Sequence, residues 1–216
     1  MSGESPHPQT RGSAIGALIA TIVVLFAAIA LAGGLASPGP PQLVVGESVA
    51  ADFESLARET WGRFLAVFWA RRACFGDVRL EAVYGLGSRA GYDPDLALAT
   101  VRVPGTVAML QSGLVHEWAH HVEFQCPAHE VLRPAFLAAQ DLPPDTPWRP
   151  AGATTDIAAA EWASIPSEQY AEAVVDLVLG GRSIPTRAHV TRVAVRVVAA
   201  WAAGRPPQAA LEAGGE

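Results

Sequence analysis

The sequence predicts an α+β domain, mostly helical with one small antiparallel sheet, preceded by a single apolar N-terminal helix. Three observations predict it. An uncharged run of membrane-spanning length stands near the start of the chain, from Ala14 to Ala36. Four downstream segments repeat apolar residues at helical spacing. Between the first and second of these, two short segments alternate apolar and polar residues instead. A chain of 216 residues has room for one ordinary domain with short appendages, and at 50% apolar composition it can build a core.

The apolar run "AIGALIATIVVLFAAIALAGGLA" carries no charge and a single hydroxyl, Thr21. As a helix it spans roughly 34 Å, enough for a hydrocarbon core of about 30 Å. Arg11 precedes it, and no basic residue follows until Arg58. That asymmetry predicts a cytoplasmic N-terminus and a translocated remainder. Gly34-Leu35-Ala36 also offers the small residues of a signal-peptidase site, so residues 13–36 read as a transmembrane helix or a cleaved signal peptide. Residues 1–12 are then a cytoplasmic tail, 37–43 a Pro/Gly linker, 44–204 the exported domain and 205–216 a loose tail. The expected location is the cell membrane, single-pass with the C-terminal domain outside, or secreted if the segment is cleaved.

Within the exported part, Val49–Ala73 places Phe53, Leu56, Trp61, Leu65 and Phe68 at helical spacing. Asp77–Gly85 alternates Val78, Leu80, Ala82 and Tyr84 with polar residues and reads as a strand. Gly87–Asp95 reads as a loop, and Ala97–Gly105 as a second strand ended by Pro104-Gly105. The two strands are expected to pair as an antiparallel hairpin. Thr106 to about Phe124 is the next helix, with Val107, Leu110, Leu114, Trp118 and Val122 as its stripe. Residues 139–160 are rich in Pro and Gly and read as irregular. A helix from Ser164 or Ser167 to Leu179 stops at Gly180-Gly181, and another runs from Thr186 to Ala203. The 15 basic residues are all arginines and are scattered, and the formal net charge is −6. A nucleic-acid surface needs clustered positive charge, so none is expected.

The chemistry concentrates in His116-Glu117-Trp118-Ala119-His120. Residues four apart on a helix share a face, so His116 and His120 can occupy adjacent corners of a metal site. Glu117 stands beside them, able to reach a water without being a ligand. From this chain's own His and Glu frequencies such a pattern arises by chance in about one sequence in a hundred. The pattern resembles the zincin metallopeptidases, the gluzincins in particular, and the resemblance extends over about Ala99 to Asp176. It implies a minimal zincin-like metallopeptidase domain that binds Zn²⁺ and hydrolyses peptide or protein substrates, with Glu117 as general base. In that group the edge strand before the active helix holds the substrate; Ala99–Val103 would be that strand here.

The resemblance also implies a third protein ligand. The branch reading H-E-x-x-H-x-x-G-x-x-H fits poorly, because Glu123 stands where the turn needs glycine and Cys126 where it needs histidine. The thermolysin-like pattern N-E-x-x-S-D is closer to Ser167-Glu168-Gln169-Tyr170-Ala171-Glu172, although the asparagine, the serine and the aspartate are not matched. By that likeness Glu168 is the ligand and Glu172 the acid that hydrogen-bonds a ligand imidazole; Glu161 and Glu172 remain rival ligands. His121 lies about 100° around the helix from His120 and reads as a packing or surface residue. His189, Tyr170 and Tyr92 are candidates to stabilise a transition-state oxyanion, each with an equally ordinary structural role, and His129 stands isolated. Cys74 and Cys126 are the two cysteines, and an even pair outside the cytoplasm reads as a disulfide, with Cys126 as a thiolate ligand the rival. Against the peptidase stands a second class of function: a catalytically inactive, zinc-stabilised binding or scaffold protein of the cell envelope.

Overall fold

Alternation builds the sheet. In the computed structural model, which describes residues 39–150, 159–181 and 183–212, strand β2 (Val78–Val83) turns Val78, Leu80 and Ala82 into the core and Arg79 and Glu81 away from it. β1 (Leu43–Val45) lies parallel to β2, and β4 (Leu98–Arg102) lies parallel to it on the other side. β3 (Ala90–Asp93) pairs antiparallel with β4, giving the order β1-β2-β4-β3. The sheet is therefore mixed, not antiparallel as expected. Parallel neighbours need a segment to carry the chain back, and β3 is that return, laid outside β4 within the stretch expected to be a loop. Asp93 makes the hairpin turn: its Oδ1 accepts from the amides of Asp95 at 3.0 Å and Leu96 at 3.2 Å. In consequence Ala99–Val103 is not an edge; β3 is.

The first helix, α1 (Ala51–Val67), buries Phe53, Ala57, Trp61 and Phe64. It ends six residues before Ala73, where a 3₁₀ turn (Trp69–Arg71) takes over. α2 (Val107–Gln125) begins at Thr106, whose hydroxyl accepts from the Met109 amide. Trp118 anchors it against α1, edge-on to Trp61 at 5.0 Å and to Phe64 at 5.7 Å. A second 3₁₀ turn (Pro127–Val131) leads to α3 (Arg133–Ala139), an element with no counterpart in the sequence reading. α4 (Ala159–Trp162) is a single turn. α5 (Pro166–Leu179) packs along α2 and is buried from Pro166 through Val175. Gly180, at φ 72°, ends it in the left-handed conformation that glycine adopts without cost. α6 (Arg192–Ala202) covers α5; capped by Thr191, it begins at Arg192, six residues later than expected, because Thr186 turns its hydroxyl onto the Ala188 amide instead.

Both ends of the domain reach further than expected. Pro40 opens the compact unit, and Leu43 is already a buried strand residue, so the linker is shorter than residues 37–43. The tail is not loose throughout: α7 (Ala209–Glu212) packs on α6. Residues 1–36, expected to be the cytoplasmic tail and the membrane helix or signal peptide, lie outside the described residues. Among those described, no helix is long and apolar enough to cross a membrane.

Cys74 and Cys126 form a disulfide that ties the end of the α1 segment to the end of α2, with Cα atoms 4.8 Å apart and a sequence separation of 52. Cys126 is therefore no thiolate ligand. Cys74→Ser with Cys126→Ser is expected to cost about 2–4 kcal/mol, mainly by freeing the unfolded chain. In calorimetry that lowers Tm by about 4–16 °C; a drop below about 2 °C would show that closing the loop contributes nothing.

Candidate metal centre

Two helices make the centre. On α2, Trp118 points into the aromatic core, so His116 and His120, half a turn away from it in either direction, point oppositely toward α5. On α5, Glu168 and Glu172 share the face turned back at them. The His116 and His120 Nε2 atoms are 3.2 Å apart. Glu168 Oε2 lies 3.0 Å from the first and 3.3 Å from the second. His116, His120 and Glu168 thus form a group able to hold a metal ion.

The other ring nitrogens say why the group could take up a cation. His116 Nδ1 is 3.0 Å from Glu172 Oε1, and His120 Nδ1 is 2.9 Å from Glu123 Oε2. Carboxylates only accept, so each Nδ1 carries the hydrogen and donates it. In the neutral rings both Nε2 atoms are then lone pairs, facing each other and a carboxylate oxygen with no donor among the three. Repulsion would open this arrangement unless a proton or a metal ion sat within it. Ligands of a tetrahedral ion with bonds of about 2.0–2.1 Å stand about 3.3–3.4 Å apart, close to the 3.0–3.3 Å seen here. The local charge points the same way: three carboxylates, Glu117, Glu123 and Glu168, interact with the guanidinium of Arg149, and a fourth, Glu172, adjoins His116.

The carboxylates are not equivalent. Burial pushes Glu168 up, but His120 and His116 outweigh it and hold its acid far below the usual range. Burial likewise opposes ionisation of Glu123, yet its bond to His120 and the nearby Arg149 bring it down to about 2. Burial pulls His120 down, but Glu168 and Glu123 together raise it to about 9. Glu117 is the exception: burial raises it despite the pull of His116 and His120. Among the described residues its carboxylate takes no hydrogen bond, although it lies within the field of both histidines, Glu168 and Arg149.

The rivals and accessory candidates are placed elsewhere. Glu161 is exposed, and Glu172 is on Nδ1 of His116 rather than among the converging atoms. His121 is fully buried; its Nε2 donates to the Gly76 carbonyl at 3.2 Å, so its Nδ1 accepts from the Tyr92 hydroxyl at 2.8 Å. Tyr92 is thereby occupied. Tyr170, two residues from Glu168, faces the opposite side of α5 and packs on His129, ring centroids 4.5 Å apart. His189 is exposed. Among the described residues, none of the three oxyanion candidates meets the cluster through a hydrogen bond or ring contact of its side chain. The residues that do are ones the sequence reading missed: Glu123, Trp148 and Arg149, with Trp162 stacked on the His116 ring at 5.8 Å. Glu123 had a signal, since it lies one turn beyond His120; Trp148, Arg149 and Trp162 reach the site through tertiary structure alone.

His129 is no ligand either. It is fully buried between Trp148, Tyr170 and Trp201, and neither ring nitrogen has a hydrogen-bond partner among the described residues. Burial pushes its pKa down to about 3, with Arg133 adding to that and Glu123 opposing it. The folded ring stays neutral while the unfolded one protonates below about pH 6.5. Stability from this residue is complete above that pH and is lost as pH falls toward 3. At pH 5 the loss is about 2 kcal/mol. Urea midpoints at pH 5 and pH 7.5 are expected to lie closer together in His129→Phe than in the wild type; an unchanged gap would assign the acid sensitivity to other groups.

Comparison with protein-family models, with curated proteins and with solved structures finds no match. Fold and site define the class: an α+β protein with a buried His-His-Glu group able to hold a metal ion.

Proposed function

We propose that the domain is a zinc-dependent peptidase of the zincin type, of gluzincin-like ligand pattern, tethered outside the cytoplasmic membrane by its N-terminal segment. The observation that carries it is the convergence of His116 Nε2, His120 Nε2 and Glu168 Oε2 beside a carboxylate, Glu117, that takes no hydrogen bond among the described residues. Two imidazoles and one carboxylate suit zinc better than magnesium or calcium, which prefer all-oxygen sites. When bound, Zn²⁺ supplies Lewis acidity, lowering the pKa of a coordinated water and polarising the scissile carbonyl.

The chain's own groups do the rest. His116 and His120 are held in the ligating tautomer by Glu172 and Glu123 through Nδ1. Glu117 accepts a proton at its carboxylate from the attacking water and returns it to the amine nitrogen as the C–N bond breaks. Its raised pKa brings it nearer the working range of such a base. An unpaired Glu117 also favours the peptidase over the inactive scaffold, for which that buried carboxylate would have no use. The disulfide fits an oxidising compartment and so the exported reading.

Metal analysis of the purified domain tests the proposal. About one equivalent of zinc is expected in the wild type and none in His120→Ala. Iron in place of zinc, or equal metal in both proteins, would overturn it.

A further inference from the structure

We infer that Glu123, held by Arg149 and Trp148, is a positioning residue for the metal: it fixes the ring of His120 as Glu172 fixes that of His116, and its loss weakens metal binding. The inference rests on the reading of His116, His120 and Glu168 as ligands and deepens it. Position 123 is where the glycine of the three-histidine pattern would stand. Glutamate keeps α2 helical through Gln125 and, one turn beyond His120, folds its carboxylate back onto that imidazole.

The carboxylate is buried and saturated with donors. Oε2 accepts from His120 Nδ1 at 2.9 Å and from Arg149 Nη2 at 3.0 Å. Oε1 accepts from Trp148 Nε1 at 3.0 Å and again from Arg149 Nη2 at 3.3 Å. Arg149 Nη2 also lies 3.2 Å from His120 Nδ1, but both atoms are donors, and they meet because they share Glu123. The same guanidinium reaches Glu168 Oε1 through Nη1 at 3.4 Å. The Trp148 carbonyl accepts from the Ser167 amide at 3.1 Å, one residue before Glu168. Residues 148 and 149 therefore bridge α2 to α5 at the centre itself. A carboxylate that served only to neutralise Arg149 could face away from the ligand; this one makes its shortest contact with His120.

The test is zinc affinity, by competition with a chromophoric chelator, together with the visible spectrum of the Co²⁺-loaded protein. E123Q keeps the size of the side chain, but its single carbonyl oxygen cannot serve His120, Trp148 and Arg149 at once. It is expected to bind zinc about 10–100-fold more weakly and to shift the Co²⁺ bands. Near-UV circular dichroism of the metal-free protein reports whether the variant folds. If it does not, Trp148→Phe decides, since it removes one donor to Glu123 and leaves the acid in place; a smaller loss of affinity is expected. Wild-type affinity and spectrum in E123Q, or in Trp148→Phe where that variant decides, would overturn the inference and leave the ligand set standing. Absence of zinc binding in the wild type would overturn both.

Discussion

Glu117→Gln is expected to lower kcat for hydrolysis of an unstructured peptide by about 10²–10⁴-fold and to leave the zinc content of the domain unchanged. The substitution replaces one oxygen of a carboxylate that makes no hydrogen bond among the described residues, so no partner is orphaned. The amide is nearly the same size but has no basic lone pair for the proton of the attacking water. His116 and His120 are held at Nδ1 by Glu172 and Glu123 without help from Glu117. The loss should therefore fall on kcat far more than on KM or on metal affinity, the signature of an interaction used only in the transition state. A variant within tenfold of the wild type would remove Glu117 as the base. A wild type that binds zinc and cleaves no peptide would favour the scaffold reading.

How much of this could be read from residues alone depended on the range over which each signal acts. The pairing of His116 with His120, and of Glu168 with Glu172, follows from helix periodicity. Only their meeting across 48 to 56 residues needed tertiary structure. The disulfide followed from parity: two cysteines expected to lie outside the cytoplasm leave a single connectivity. The sheet was misread because strand direction is a non-local property. Val78–Val83 and Leu98–Arg102 alternate identically whether they run parallel or antiparallel, and β3 is hidden in Ala90-Gly91-Tyr92-Asp93, where glycine and aspartate carry poor strand propensity.

Arg149 illustrates a different limit. It stands in a proline-rich stretch with no periodicity, and nothing nearby marks it as a site residue. Its role comes from the Trp148 carbonyl docking on the start of α5, which turns the next side chain toward Glu123 and Glu168. Glu123 is the opposite case. It was visible as the residue that spoils a three-histidine pattern, and the same carboxylate proves to be bonded to the second histidine of the motif.

The second large effect concerns stability. With zinc at 100 to 1,000 times its Kd, the folded domain is expected to gain about 2.7–4.1 kcal/mol over the metal-free protein. For a domain of this size that raises Tm by about 5–16 °C. The full shift requires that the unfolded chain bind zinc poorly. Here both cysteines are sealed in the disulfide, and Glu168 stands 48 residues from His120 in sequence, so the unfolded chain offers no thiolate and no complete ligand set. His120→Ala should abolish the zinc-dependent part of Tm. It also leaves Glu123 without its shortest partner and opens a small void, so its absolute Tm will fall for reasons unrelated to the ion. The informative quantity is the difference in Tm with zinc and with chelator, measured in the same variant. Glu117→Gln should keep that difference while losing hydrolysis, and His120→Ala should lose both. Should His120→Ala keep a zinc shift as large as that of the wild type, the ion binds elsewhere, and Glu117 would have no metal beside it to act with.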